Sequence, residues 1–163
     1  MGSRGGICVG RCVGRCVGRG LLRGDSAPHP RIAAQGTLTE LNLRKNGLEV
    51  SGGKAIAAAL RENATLTSLN LAYNELGTQG GAALAGPLAS HAALTALDLK
   101  GNHLAVEAFA PAIKANLVLR RLNLRYNVVG TAETVLREAV KARKQPTPAE
   151  ADGDAEASFE LLL

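Results

Sequence analysis

The chain has 163 residues, of which 46% are apolar but only 2% aromatic, and a formal net charge of +5. That length allows one domain, and an aliphatic core with so few rings suits thin stacked layers while offering few platforms for bases or sugars. No run of 18 apolar residues is present to span a membrane, and the Arg- and Gly-broken N-terminus lacks the apolar stretch of a secretory signal. The chain therefore reads as cytoplasmic, with a nuclear or organellar place as the alternative.

Charge divides the chain into three blocks. Residues 1–35 carry six Arg against one Asp, residues 36–144 thirteen Lys and Arg against eight acids, and residues 145–163 five acids and no base. This predicts a basic leader, a mildly basic body and an acidic tail. The leader, residues 1–25, spells Cys-Val-Gly-Arg three times and holds every cysteine, Cys8, Cys12 and Cys16. Gly10, Gly14 and Gly18 each cost roughly 1 kcal/mol of helix propensity relative to Ala, so disorder is expected there. Three thiols without a fourth nearby ligand do not make a metal site. No metal and no cofactor are expected.

From Leu38 onward one pattern recurs in register: LTELNLRKNGL, LTSLNLAYNEL from Leu66, LTALDLKGNHL from Leu94 and LRRLNLRYNVV from Leu119. The first leucines are 28, 28 and 25 residues apart, a period in which one strand and one helix make a stackable unit. Within each unit the alternation x-Leu-x-Leu-x predicts a strand with one buried face: Leu41, Leu43, Leu69, Leu71, Leu97, Leu99, Leu122 and Leu124 point inward. Asn46, Asn74, Asn102 and Asn127 follow at one fixed place. An amide there can satisfy backbone groups that the turning chain leaves unpaired, so these four read as a structural ladder.

Ala-rich helical sequence follows each strand. Ile56 and Leu60, Leu84 and Leu88, and Phe109 and Ile113 keep the same offsets to the next unit, and their four-residue spacing predicts one stripe packed on the sheet. The shortened third unit is expected to lose its residues in the loop between Leu104 and Phe109. Ile32 fits the same stripe, so residues 26–35 read as the helix of a partial preceding unit. The repeat domain is placed at 26–144, and residues 145–163 at a disordered acidic tail, in which Phe159 and Leu161 to Leu163 are candidates to cover the last unit.

Leu-x-x-Leu-x-Leu-x-x-Asn followed by a Gly- and Ala-rich helix resembles the leucine-rich repeats of the ribonuclease-inhibitor class, such as those of NOD-like receptors and Ran GTPase-activating proteins. The resemblance implies an α/β solenoid, a short horseshoe of about four repeats with parallel strands on its concave face and helices on its convex face. The resemblance is specific for fold and not for function, and the chain is either self-contained or a fragment of a larger regulatory or receptor-like protein. A GTPase-activating regulator is an alternative that rests on resemblance alone.

Signals for chemistry fail on inspection. Gly52-Gly53-Lys54 lacks the hydroxyl that a phosphate loop needs, since Ala55 stands there, and Gly80-Gly81 recurs without a lysine, so the glycines belong to the repeat. Neither His91 nor His103 has a nucleophile or carboxylate cluster beside it, so no catalytic residue is assigned. Binding is expected on the concave face, where the exposed positions align in columns. One column is Arg44, Ala72, Lys100, Arg125, and beside it runs Lys45, Tyr73, Gly101, Tyr126; a further column carries Glu40, Ser68, Ala96, Arg121. Arg44, Lys45, Tyr73, Lys100, Arg121, Arg125 and Tyr126 are the candidate partner-binding residues, because Tyr and Arg bury large area while keeping polar ends satisfied.

The expected partner is a protein with an acidic surface. Nucleic-acid binding through the leader and the cationic column is the alternative, opposed by the acidic tail and the scarcity of rings. A third reading has the tail folding back onto Arg44, Lys100 and Arg125. Open ends of a four-unit stack also allow end-to-end self-association.

Overall fold

The computed structural model describes residues 38–128, 130, 132–143 and 159–163. The leader, the partial unit expected over 26–35 and residues 144–158 of the expected tail lie outside them.

Each Leu-x-Leu core segment forms a three-residue strand: β1 Glu40–Asn42, β2 Ser68–Asn70, β3 Ala96–Asp98 and β4 Arg121–Asn123. The strands pair parallel in chain order, with Leu41 beside Leu69, Leu69 beside Leu97 and Leu97 beside Leu122. Equivalent residues of successive units therefore stack, and the inward leucines form one continuous buried core. The sheet continues past the strand ends, because Lys45 N–H donates to the Ala72 carbonyl at 2.9 Å and Tyr73 N–H to the Lys100 carbonyl at 2.8 Å. Turn residues are thereby fixed as firmly as strand residues.

The convex side carries α1 Glu49–Glu62, α2 Gly77–Ser90, α3 Ala110–Ala115 and α4 Ala132–Lys141. The stripe residues Ile56, Leu60, Leu84, Leu88, Phe109, Ile113 and Leu136 are buried. Neither α1 nor α2 has a capping side chain, since Leu48 and Leu76 occupy the cap position. The next unit supplies the missing acceptor: Glu49 N–H donates to the Asn74 carbonyl at 2.8 Å and Gly77 N–H to the Asn102 carbonyl at 2.9 Å. Glycine inside these helices weakens them locally. It is kept because a Cβ on Gly53 would lie 2.9 Å from Gly80 Cα, so the two helices meet backbone to backbone.

Two expectations need correction. The third unit loses its residues between Leu104 and Phe109 as expected, but that segment is not a loop: a 3-10 turn at Val106–Phe109 leads into the six-residue α3, where the units before it have 14-residue helices. The tighter 3-10 winding lets Phe109 and Ile113 keep their places in the stripe with fewer residues. Secondly, the end of the expected tail is a strand. β5, Glu160–Leu162, pairs parallel with β4, placing Leu161 beside Leu122. Leu161 and Leu163 alternate with the period of a strand and pack on the core, and Arg143 lies 4.1 Å over the Phe159 ring.

Candidate functional site

The ladder asparagines are spent on the backbone. Asn74 Nδ2 donates to the Leu43 and Leu71 carbonyls at 2.9 and 2.8 Å, Asn102 Nδ2 to Leu71 and Leu99 at 2.9 and 3.0 Å, and Asn127 Nδ2 to Leu99 and Leu124 at 3.0 and 2.9 Å. Their Oδ1 atoms accept from the preceding unit, Asn74 from Asn46 N–H at 2.8 Å and Asn102 from Asn74 N–H at 2.9 Å. Asn46 donates to the Leu43 carbonyl at 2.7 Å. The amides of Asn74, Asn102 and Asn127 thus staple two layers, while that of Asn46 bonds within its own unit.

A second set of side chains, at the last position of each strand, is equally committed. Asn42, Asn70, Asp98 and Asn123 each accept, through Oδ1, from the N–H two residues on, at 3.1, 3.0, 3.0 and 3.2 Å. These are Asx turns that bend the chain out of each strand. Their signal was present in the sequence, as an Asn or Asp at all four equivalent places.

The turn that follows carries the candidate interface. Lys45, Tyr73, Gly101 and Tyr126 all have left-handed backbone, at φ 58°, 58°, 63° and 56°. For a residue other than Gly this conformation costs roughly 1–2 kcal/mol. Only one unit spends a glycine here, and a Cβ on Gly101 would lie 2.7 Å from Tyr73 Cδ1 and Cε1. The missing side chain makes the seat for the Tyr73 ring.

Around that ring Arg44 Cζ lies at 5.1 Å from the centroid, Lys45 Nζ at 5.6 Å and Lys100 Nζ at 5.7 Å; Lys100 Nζ also lies 4.8 Å from the Tyr126 centroid. Five of the seven candidate residues, Arg44, Lys45, Tyr73, Lys100 and Tyr126, therefore form one cation–aromatic chain along the rim. Each such contact contributes about 0.5–1 kcal/mol at an exposed site. Tyr126 remains 73% exposed, so its ring is available for contact.

Arg121 and Arg125 stand apart from that chain. Arg121 Nε meets Glu160 Oε2 at 2.6 Å across to β5, and both groups are exposed, so the pair adds little stability but occupies the arginine. Glu160 is the described acid of the expected tail, and its partner is Arg121, not Arg44, Lys100 or Arg125. Arg125 borders the open end of the solenoid with α4 and β5.

One further position recurs in every unit. Asn63, His91, Asn116 and Arg143 each lie seven residues past the first stripe residue of their helix, at the junction back to the sheet. Asn63 Oδ1 accepts from Thr65 and Leu66 N–H at 3.0 and 2.8 Å; His91 Nδ1 does the same for Ala93 and Leu94 at 3.3 and 3.1 Å. The ring is thus the neutral tautomer with its proton on Nε2, which is buried without a partner in hydrogen-bond range. Burial lowers the His91 pKa, opposed by the Asn63 backbone. At the fourth junction Arg143 Nη2 donates to the Leu119 carbonyl at 2.8 Å, while burial and then Arg120 lower its pKa. Among the described residues no group of three His, Cys, Asp or Glu is placed to hold a metal, and no helix is long and apolar enough to cross a membrane.

Comparison with known proteins follows the geometry. The family model for the Leucine Rich repeat matches residues 37–57 and 62–85. Among solved structures, the chain is similar to leiomodin-1 actin-binding site 2, with TM-score 0.67 and 19% identity over 83% of this chain and 76% of that one. It is also similar to the tropomodulin C-terminal domain of Caenorhabditis elegans, with TM-score 0.66 and 14% identity over 82% and 78%. No curated protein matches the sequence. At these identities the structural likeness is one of fold. With the repeat motif, the asparagine ladder and the parallel layered sheet together, the chain has the leucine-rich repeat fold.

Proposed function

We propose that this chain is a non-enzymatic protein-interaction module of the cytosol, of the ribonuclease-inhibitor class of repeats, that takes an acidic protein surface on its concave rim. The observation that carries the reading is the cation–tyrosine chain from Arg44 to Tyr126, which is built on left-handed backbone. Tyr126 is the sharper case: its one cation contact, about 0.5–1 kcal/mol, does not offset the roughly 1–2 kcal/mol of its left-handed backbone, which supports a role outside the fold. Cations already gathered over rings steer an acidic partner, while the rings supply area that is buried on contact. The similarity to a structure described as an actin-binding site supports protein binding as a use of this scaffold.

The test compares the immobilised protein with its Arg44→Glu/Lys45→Glu/Lys100→Glu variant, each incubated with cell extract, and identifies the retained proteins by mass spectrometry. Loss of a small set of acidic proteins from the variant is the expected outcome. Retention of the same proteins by both would remove the rim from consideration, and capture of RNA or DNA that falls steeply with salt would install the nucleic-acid alternative.

A further inference from the structure

Among the described residues, the layer of α4 and β5 differs from the interior layers in one specific way. In each interior layer the corner between a helix and the next strand is filled by the following helix, whose two stripe residues are buried. Leu84 and Leu88 of α2 and the pair Phe109 and Ile113, the latter on α3, are at most 1% exposed. The corner between α4 and β5 has no such filler among the described residues, and there Val140, Phe159, Leu161 and Leu163 stay only partly buried. An open groove results, floored by those four and rimmed by Arg125, Arg137 and Lys141 against the one acid Glu133.

We infer that this groove docks one amphipathic helix of a partner protein, with aliphatic side chains four residues apart turned into the corner and carboxylates along its flanks. The repeat itself specifies the occupant: every equivalent corner of the molecule takes a helix with that spacing, and a strand added to the β5 edge would leave the α4 flank bare. The flanks follow from charge. Glu133 is already committed to Arg137 at 2.7 Å, so Arg125 and Lys141 remain as rim cations without an ion-pair partner among the described residues. Neither Tyr73 nor Tyr126 lines the groove, so it is a second surface, which adjoins the first only at Arg125.

Fluorescence anisotropy tests this with a labelled alanine-based helical peptide of 14 residues, the length of α1 and α2, carrying leucines four apart and glutamates on both flanks. Saturable binding is expected, weakened about tenfold or more by Arg125→Glu/Lys141→Glu and by replacing the peptide glutamates with lysine. The Arg44→Glu/Lys45→Glu/Lys100→Glu variant should bind the peptide like the parent, which separates this groove from the concave rim. Val140→Asp, checked for native circular dichroism, should also abolish binding. Absence of saturable binding, or equal binding by the charge-reversed variant, overturns the inference. So does sedimentation showing a dimer that Val140→Asp dissociates, because a second copy would then be the occupant.

Discussion

Adjacent residues in one turn have opposite fates in this molecule. Positions 46, 74, 102 and 127 are asparagine in every unit, and the amides of the last three bond across two layers. One residue earlier, positions 45, 73, 101 and 126 are Lys, Tyr, Gly and Tyr, pointing outward from a backbone that favours glycine. The first column is dictated by the backbone it must satisfy. The second is released from that demand, and it is the column on which the proposed interface is built.

The largest effect should come from breaking the dictated column. Asn102→Ala leaves the Leu71 and Leu99 carbonyls and the Asn74 N–H without their partners in a buried place. Each unsatisfied group costs about 1–3 kcal/mol, so a loss of about 3 kcal/mol or more is expected in urea unfolding. A loss under about 1 kcal/mol would mean that water replaces the amide and that the ladder is not what joins the layers.

Gly101→Ala attacks the other column at the one place where glycine is required. The added methyl meets the Tyr73 ring at 2.7 Å, in a backbone region that disfavours alanine. A loss of about 1–2 kcal/mol is expected, together with a displaced ring visible in the Tyr73 aromatic resonances. Unchanged resonances would show that the ring does not rest on Gly101.

The junction column gives the smallest effect and a sign that can be worked out. His91 has a folded pKa below its ordinary 6.5, so the unfolded chain binds the proton more readily. The stability it contributes is present above that value and lost as pH falls through it toward the folded pKa. His91→Asn restores the residue found at Asn63 and Asn116, adds a donor pair like that of Asn116 Nδ2 to the Leu88 and His91 carbonyls, and removes the orphaned Nε2. It should gain about 1 kcal/mol at neutral pH and more at pH 5.5, flattening the pH profile of urea midpoints. A profile as steep as the parent's would place the titration elsewhere.

Most of the fold was legible because leucine spacing is enforced by burial on two elements at once. The strands, the stripe from Ile56 to Ile113 and the asparagine ladder all follow from residues that have one place to go. What escaped has a physical reason in each case. Asn42, Asn70, Asp98 and Asn123 face solvent like a binding column, yet they are consumed by local turns that periodicity alone does not distinguish. β5 lies far beyond Arg143 in the chain, outside the 25- to 28-residue period, and its register is seen in its contacts with Arg143 and β4. Arg143 itself occupies an asparagine junction with a different side chain. The rim was foreseen as columns, but columns do not reveal that Arg121 is taken by Glu160 while Lys100 bridges Tyr73 and Tyr126.

The most direct measurement pairs stability with capture for the variant Tyr73→Gly/Tyr126→Gly. Glycine suits the left-handed backbone at both places, so urea unfolding should stay within about 1 kcal/mol of the parent while the proteins retained by the parent are lost. Undiminished capture would contradict the rim as the binding surface. A large fall in stability would show that the tyrosines serve the fold, and that their exposure on the concave rim reports nothing about a partner.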